Sequence, residues 1–484
     1  MTITIIGALT IAIFVLNIFL AAALVFLERR DASSTWAWLL VLFFIPIFGF
    51  FIYLLLGRKL RNKTLFKWES NARVGIENLI AHQMNELHDN RFHFSDENSH
   101  EYKDLIYLHL RNNGAVLTQD NAVQIFNDGR EKFDSLIKDI EQAKHHIHVQ
   151  YYIFRLDGLG TRILDALKEK AKQGVQVRLL YDDMGSRTLS KRHFKEFIQL
   201  GGEVETFFPS VFPLINPRLN YRNHRKIVVI DGTVGYIGGF NVGDEYIGLS
   251  RKFGYWRDTH LRIEGSALRP LQTRFIRDWN QASARRDIEY NEIYFPVVRG
   301  KGTTSMQIVS SGPDEEWEQI KDGYMKLINM AEEYIYIQTP YFIPDASFYD
   351  AIRVAALSGI DVRVMIPNKP DHPFVYWATY SYAGQLLRAG ARIFIYDNGF
   401  LHTKMIVTDD KASTVGTANI DVRSFKLNFE VNAFIYDKKV SADLAELFRQ
   451  DMVLSTELTF EMYYERTRLI KTKESIARLL APIL

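Results

Sequence analysis

Two uninterrupted apolar runs open the chain, residues 3–27 (ITIIGALTIAIFVLNIFLAAALVFL) and 36–56, and no later stretch repeats them. As helices, each is long enough to cross a hydrocarbon core about 30 Å thick. Pro46 and Gly49 lie inside the second run, where a membrane helix tolerates them better than a soluble one does. The connection ERRDASST is short, so residues 1–60 are expected to form a transmembrane helical hairpin. A cleaved leader fits poorly, because no basic residue precedes the first run and a second apolar run follows it. Arg58, Lys59, Arg61, Lys63 and Lys67 follow the second run, whereas the connection offers only Arg29 and Arg30. The positive-inside rule then puts the N-terminus and everything after the hairpin on the cytoplasmic side of a cell membrane. The same cluster suits anionic headgroups.

Residues 61–114 read as a polar linker, with an amphipathic helix in ARVGIENLIAHQMNEL, a loop in RFHFSDENSHEYKD and no evident chemistry. Beyond it the pattern changes to helices alternating with short apolar strands. IKDIEQAKHHIHVQYYIF predicts helix then strand, DGLGT a turn opening the helix RILDALKEKAKQ, and GVQVRLLYD a second strand. The order returns in IKDGYMKLINMAEEYIYIQTPYF, DASFYDAIRVAALSG and IDVRVMIP, with Gln338, Gly359 and Arg363 in the places of Gln150, Gly174 and Arg178. This is an α/β architecture with an internal duplication, its halves at 115–295 and 296–484. The tail TRLIKTKESIARLLAPIL reads as a helix that packs back on the domain or lies at the membrane.

The net charge of +2, from 59 basic and 57 acidic residues, lacks the broad basic footprint of a nucleic-acid binder, and none is expected as a partner. The absence of cysteine excludes disulfides and thiolate chemistry. His145, His146 and His148 have no carboxylate or cysteine partners at ligand spacing, so they read as structural, not metal-binding. GLG at Gly158 and Gly160 lacks the rest of a nucleotide-binding loop.

The chemistry lies in a polar pattern that occurs twice. His224, Lys226, Asp231, Gly238 and Asn241 are matched at offsets of +2, +7, +14 and +17 by His402, Lys404, Asp409, Gly416 and Asn419. One HxK is weak, but five residue types repeated at identical spacings have no packing rationale. Period-2 geometry puts each His and Lys on one face of one strand. Imidazole is a competent nucleophile near neutral pH, an ammonium suits a phosphate oxygen, and Asn adds an amide donor. The Gly-rich turns let backbone approach a bulky anion. Two such sets facing each other suit a phosphodiester, one histidine attacking phosphorus while the other protonates the leaving oxygen.

The duplicated HxKx4Dx6G(G/T)xN resembles the phospholipase D superfamily. The flanks GGFNVGDEY, YWRDTHLRIEG and NIDVRSFKLNFEVNA are similar to those of bacterial cardiolipin synthases. The resemblance implies two phospholipase-D-like α/β/α sandwich halves with the active site at their seam. It implies phosphatidyl transfer between two phosphatidylglycerol molecules, giving cardiolipin and glycerol through a phosphohistidine on His224, with His402 as acid and base. It further implies that Asp258 and Glu430 hold the histidines and that Asp231 and Asp409 are structural or assisting members of the catalytic motifs. Lys226, Lys404, Asn241 and Asn419 would stabilise the phosphoryl oxygens, so no metal or other cofactor is expected. Phospholipase D hydrolysis and phosphatidylserine-type head-group exchange share that intermediate; a membrane-anchored nuclease and a non-catalytic membrane scaffold are more distant alternatives. Membrane phospholipids are the expected partners, with no obligate protein partner. The apolar insert FFPSVFPLINP, 207–217, is expected either to touch lipid through Phe207, Phe208 and Phe212 or to be an arm buried on the sheet.

Overall fold

The computed structural model describes residues 2–26, 32–45, 48–49, 52–53, 70–209, 220–283, 287–297, 300–369 and 371–479. Helices Thr2–Phe26 and Ala32–Phe44 carry no charged residue. They pack through Leu24, Leu42 and Trp38, and Asn17 Nδ2 donates to the Leu42 carbonyl at 3.3 Å. Among the described residues no helix is long and apolar enough to cross a membrane. The helical backbone of the first run nevertheless continues for 25 residues. The expected second span is followed as a helix to Phe44; the basic cluster from Arg58 to Lys67 lies outside the described residues.

One sheet runs through both halves. From its outer edge inward, the first half contributes Glu203–Phe207, Gln176–Asp182, His146–Tyr151, Ile227–Ile230, Val234–Gly238, His260–Glu264 and Thr118–Phe126. The second half repeats that order as Arg392–Tyr396, Asp361–Pro367, Tyr334–Gln338, Met405–Thr408, Ala412–Gly416, Asn428–Ile435 and Thr304–Ser311, with Ser455–Leu458 added outside. In each half the outer three are parallel and the rest antiparallel. Thr118–Phe126 and Thr304–Ser311 pair antiparallel and fuse the halves.

Helices cover both faces, which is why the strands read as continuous apolar runs. Ile147 and Val149 pack on Phe133, Leu136 and Ile163 of helices Gly129–Gln142 and Gly158–Lys172. Asp128 and Asp157 cap those helices, and Asp345 caps Ala346–Leu357. His148, on the opposite face, stacks on Phe275 at 4.4 Å and meets Gln272 Nε2 at 2.7 Å. His146 lies edge-on to Tyr294 at 5.0 Å, so both are core histidines.

One local expectation is corrected in part, and one alternative is decided. RFHFSDENSHEYKD is a loop only as far as Asp96, which caps helix Glu97–Glu101, and Lys103–Asn113 follows directly. Leu105, Ile106 and Leu110 of that helix are buried with Ile320, Tyr324 and Leu327 of the second half, an apolar spacing hidden among polar residues. Of the two readings of the apolar insert, its start fits the arm buried on the sheet. Phe207 and Phe208 are buried, their rings 5.3 and 5.9 Å from Phe429; Phe212 lies outside the described residues.

Candidate active site

Each motif histidine enters on a short strand held by the other half. Arg222–Asn223 pairs in parallel with Asn428 and Phe429, and the His224 N–H donates to the Phe429 carbonyl at 2.9 Å. Phe400–Leu401 pairs in parallel with Trp256–Arg257, and the His402 N–H donates to the Arg257 carbonyl at 2.7 Å.

The side chains cross as well. His224 Nδ1 lies 3.0 and 2.9 Å from the two oxygens of Glu430, a second-half residue. His402 Nδ1 lies 2.6 Å from Oδ2 of Asp258, a first-half residue. A carboxylate only accepts, so Nδ1 carries the proton in both rings and Nε2 keeps its lone pair. Thr417 and Asn428 donate to Glu430 at 2.6 and 3.2 Å, and the Thr259 N–H donates to Asp258 at 2.8 Å. The rings of Tyr152 and Trp256 pack 4.9 and 5.1 Å from those of His224 and His402.

The electrostatics couple the two sets. Burial, then Lys226 and Lys404, push His224 down to about 4 against the opposing pull of Glu430. Burial and Lys404, with Lys226, push His402 to about 3 despite Asp258. Each imidazole thus feels both ammonium groups. Burial also lowers Lys226 to about 7 and Lys404 to about 8. Burial alone would raise the carboxyls, but Lys404 and His402 hold Asp258 below its ordinary range, and His224 and Lys226 do the same for Glu430. The site is therefore two neutral imidazoles on two ionised carboxylates, coupled to two destabilised ammonium groups.

Lys226 Nζ donates to the His224 carbonyl at 2.5 Å, and Lys404 Nζ to the His402 carbonyl. Asn241 accepts from the Ile153 N–H at 3.1 Å, while Asn419 Oδ1 is buried without a partner among the described residues. The two motif aspartates lie elsewhere, in the structural one of the two roles the resemblance implied for them. Asp231 accepts the N–H groups of Lys144, His145 and His146 at 2.7–2.9 Å, and Asp409 those of Glu332, Glu333 and Tyr334 at the same range. Seven residues of extended chain separate each from its histidine, about 20 Å. Both have left-handed backbone, φ +53° and +56°, and pin the turn at the far end of the strand. The glycines also serve packing more than anion approach: a Cβ on Gly239 would lie 1.9 Å from Asp258 Oδ1, and one on Gly416 would lie 2.2 Å from Asn432 Oδ1.

Two buried arginines behind the carboxylates escaped sequence reasoning. Arg225 forks Asp278 at 2.6 and 2.9 Å and donates Nε to the Glu430 carbonyl at 3.0 Å. In the second half its place is taken by Thr403, and the guanidinium comes from the other half. Arg257 meets Asp451 at 2.9 and 3.1 Å and donates Nη1 to the Asp258 carbonyl at 2.6 Å and to Thr403 Oγ1 at 3.3 Å. The matched glutamines hold the same acids, Gln150 on Asp278 at 2.7 Å and Gln338 on Asp451 at 2.8 Å. Among the positions where the two motif copies differ is Arg225 against Thr403, between the motif His and Lys.

A family model described as "Cardiolipin synthase, PLD-like domain" matches residues 136–279 and 324–452, and one described as "Phospholipase_D-nuclease N-terminal" matches 15–58. The chain is 60% identical over 471 residues to the major cardiolipin synthase of Bacillus subtilis strain 168, covering 97% of this chain and 98% of that one. It is 60% identical over 476 residues to a cardiolipin synthase of Listeria innocua, covering 98% and 99%. Among solved structures, phosphatidylserine synthase of Haemophilus influenzae aligns with a TM-score of 0.62 at 15% identity, covering 80% of this chain and all of that one, a likeness of fold.

Proposed function

The chain belongs to the cardiolipin synthase, phospholipase-D-like family, and from that premise we propose that it joins two phosphatidylglycerol molecules into cardiolipin and glycerol. The observation that carries the reading is the crossed arrangement: each half presents an imidazole oriented by the other half's carboxylate, with two ammonium groups alongside.

His224 Nε2 attacks the phosphorus of the first phosphatidylglycerol, and the bond from phosphorus to the headgroup glycerol oxygen breaks. His402 gives that oxygen a proton. The proton is available because the bound phosphodiester brings a negative charge. It offsets Lys226 and Lys404, the groups that help hold the imidazole neutral. His402, now neutral, takes the proton of a hydroxyl on the second phosphatidylglycerol. The resulting oxygen attacks phosphorus and breaks the phosphorus–nitrogen bond, regenerating His224. Lys226, Lys404, Asn241 and Asn419 face the charge spread over the equatorial oxygens. Glu430 stabilises the imidazolium that forms on His224.

The uncharged 25-residue helix Thr2–Phe26 and its partner support a membrane hairpin, and the basic residues from Arg58 to Lys67 support catalytic halves on the cytoplasmic side. Cysteines introduced at Ser34 and Ser70 test this in a chain that has none: an impermeant maleimide should label the first from outside cells and the second only after permeabilisation.

Purified protein given phosphatidylglycerol alone should yield cardiolipin and glycerol in equal amounts. Phosphatidic acid as the main product would make it a hydrolase, and no product in the presence of intact fold would make it a scaffold.

A further inference from the structure

On the outer side of the second half, helices Ala346–Leu357, Pro373–Leu386 and Arg468–Leu479 enclose a cleft of about 710 Å³. Arg353, Arg388, Arg466, Lys471 and Arg478 line it, against the single acid Glu474. Glu474 is consumed by Arg466, which forks it at 2.9 and 2.6 Å, and Arg353 turns to Asp350 at 3.0 Å. The other three are held by aromatic and backbone groups instead. Arg388 lies over the Tyr464 ring at 5.0 Å, Arg478 over that of Tyr382 at 5.2 Å, and Lys471 donates to the Tyr464 carbonyl at 2.7 Å. Among the described residues none of the three has a carboxylate partner. Three cations aimed at one concavity without a counter-charge form an anion site.

The surroundings specify which anion. Leu469, Ile476 and Leu479 of helix Arg468–Leu479 are 65%, 50% and 81% exposed, beside exposed Phe460 and Met462. A receptor for free phosphate has no use for such a face, whereas a helix lying in a bilayer interface buries it. The same helix leads back to the catalytic pocket. Its Ala477 is buried with Ala378 of helix Pro373–Leu386 and with Ile343 of the short strand Phe342–Ile343, and Lys473 lies over Trp377 at 5.0 Å. The N-terminus of that second helix adjoins Asp371, which accepts the Tyr341 hydroxyl and whose charge reaches Lys404.

We propose that the cleft and the exposed face of the C-terminal helix form a second lipid site, taking the phosphate headgroup of an anionic phospholipid in the bilayer and seating the active-site mouth on the membrane. The inference rests on the phospholipid substrate proposed above, but its test is separable.

The chain has no cysteine, so Leu469→Cys carries a single environment-sensitive dye on the full-length protein. Reconstituted in phosphatidylcholine vesicles containing phosphatidylglycerol, the dye should shift to the blue; in pure phosphatidylcholine it should not. Arg388→Gln, Lys471→Gln and Arg478→Gln together should abolish the shift, each removed charge weakening docking about fivefold. The triple variant should keep its turnover of detergent-dispersed phosphatidylglycerol, which also shows that it folds. Equal emission in both vesicles, a shift that survives the triple substitution, or its loss on adding inorganic phosphate would overturn the lipid site. Failure to form cardiolipin in detergent would instead overturn the functional reading.

Discussion

Replacing Glu430 with Gln isolates the part of the site that no single half possesses. The side chain is fully buried, and His224 Nδ1 sits 2.9 and 3.0 Å from its oxygens. Glutamine keeps one acceptor for the imidazole N–H, so the hydrogen bond largely survives while the negative charge is lost. That charge matters most when His224 becomes an imidazolium on forming the phosphoenzyme. At about 4 Å and an effective dielectric near 20, the attraction lost is about 4 kcal/mol. This corresponds to roughly a thousandfold in the rate of phosphoenzyme formation. The assay is a rapid-quench single turnover with phosphatidyl-labelled phosphatidylglycerol, run beside calorimetry to show that the variant remains folded. The acceptor end of Gln can still receive the Thr417 hydroxyl or the His224 N–H, so the loss should appear in rate more than in Tm. A folded variant that forms phosphoenzyme within about threefold of the unaltered chain would refute the reasoning, because the crossed carboxylate would then be incidental.

Lys226 and Lys404 are pushed by burial to about 7 and about 8 from an ordinary 10.5, so their charge is lost as pH rises through that window. kcat/KM for phosphatidylglycerol should fall on the alkaline side from about pH 7 to 8, while stability moves oppositely: the unfolded chain keeps protons that the folded one has released, so folding free energy from these two groups grows with pH up to about 10. A pH–rate profile and a Tm series over the same range check both signs. Asp231→Asn tolerates the left-handed backbone but weakens the three-way acceptor; it should lower stability by about 1–3 kcal/mol and leave kcat per folded molecule within about threefold, which denaturant titration and turnover would show. Arg257→Ala strands Asp451 in the core and should cost about 3–5 kcal/mol, whereas Arg257→Met with Asp451→Leu should recover most of the stability but not the activity, since the Asp258 carbonyl stays unsupported; calorimetry and turnover of both variants separate the two effects.

The duplication and the members of the site were legible because the same polar set recurs ahead of an apolar strand, and strand-by-strand equivalence of the halves followed from matched positions such as Gln150 and Gln338. The crossing was not legible. Spacing along the chain relates Asp258 to His224 and Glu430 to His402, but whether an acid faces its own or the other histidine depends on which short strand pairs with which. Here Arg222–Asn223 pairs with Asn428 and Phe429, and Phe400–Leu401 pairs with Trp256–Arg257. The same limit hid the two arginines: Arg225 and Arg257 serve equivalent roles from non-equivalent positions, which no repeat alignment reveals. Constant spacing could not separate a structural from an assisting role for the motif aspartates; Asp231 and Asp409 recur because each binds three backbone N–H groups at a turn that recurs with it. Helix Lys103–Asn113 was obscured by polar neighbours that outnumber its buried Leu105, Ile106 and Leu110.

The central claim is that the crossed histidines divide the chemistry, His224 as nucleophile and His402 as proton carrier. It is met most directly by peptide mass spectrometry of the His402→Ala chain quenched after mixing with phosphatidylglycerol. The account predicts a phosphatidyl adduct on the peptide containing His224, absent from His224→Ala. An adduct on His402 in His224→Ala, with none on His224 in the reciprocal variant, would contradict it.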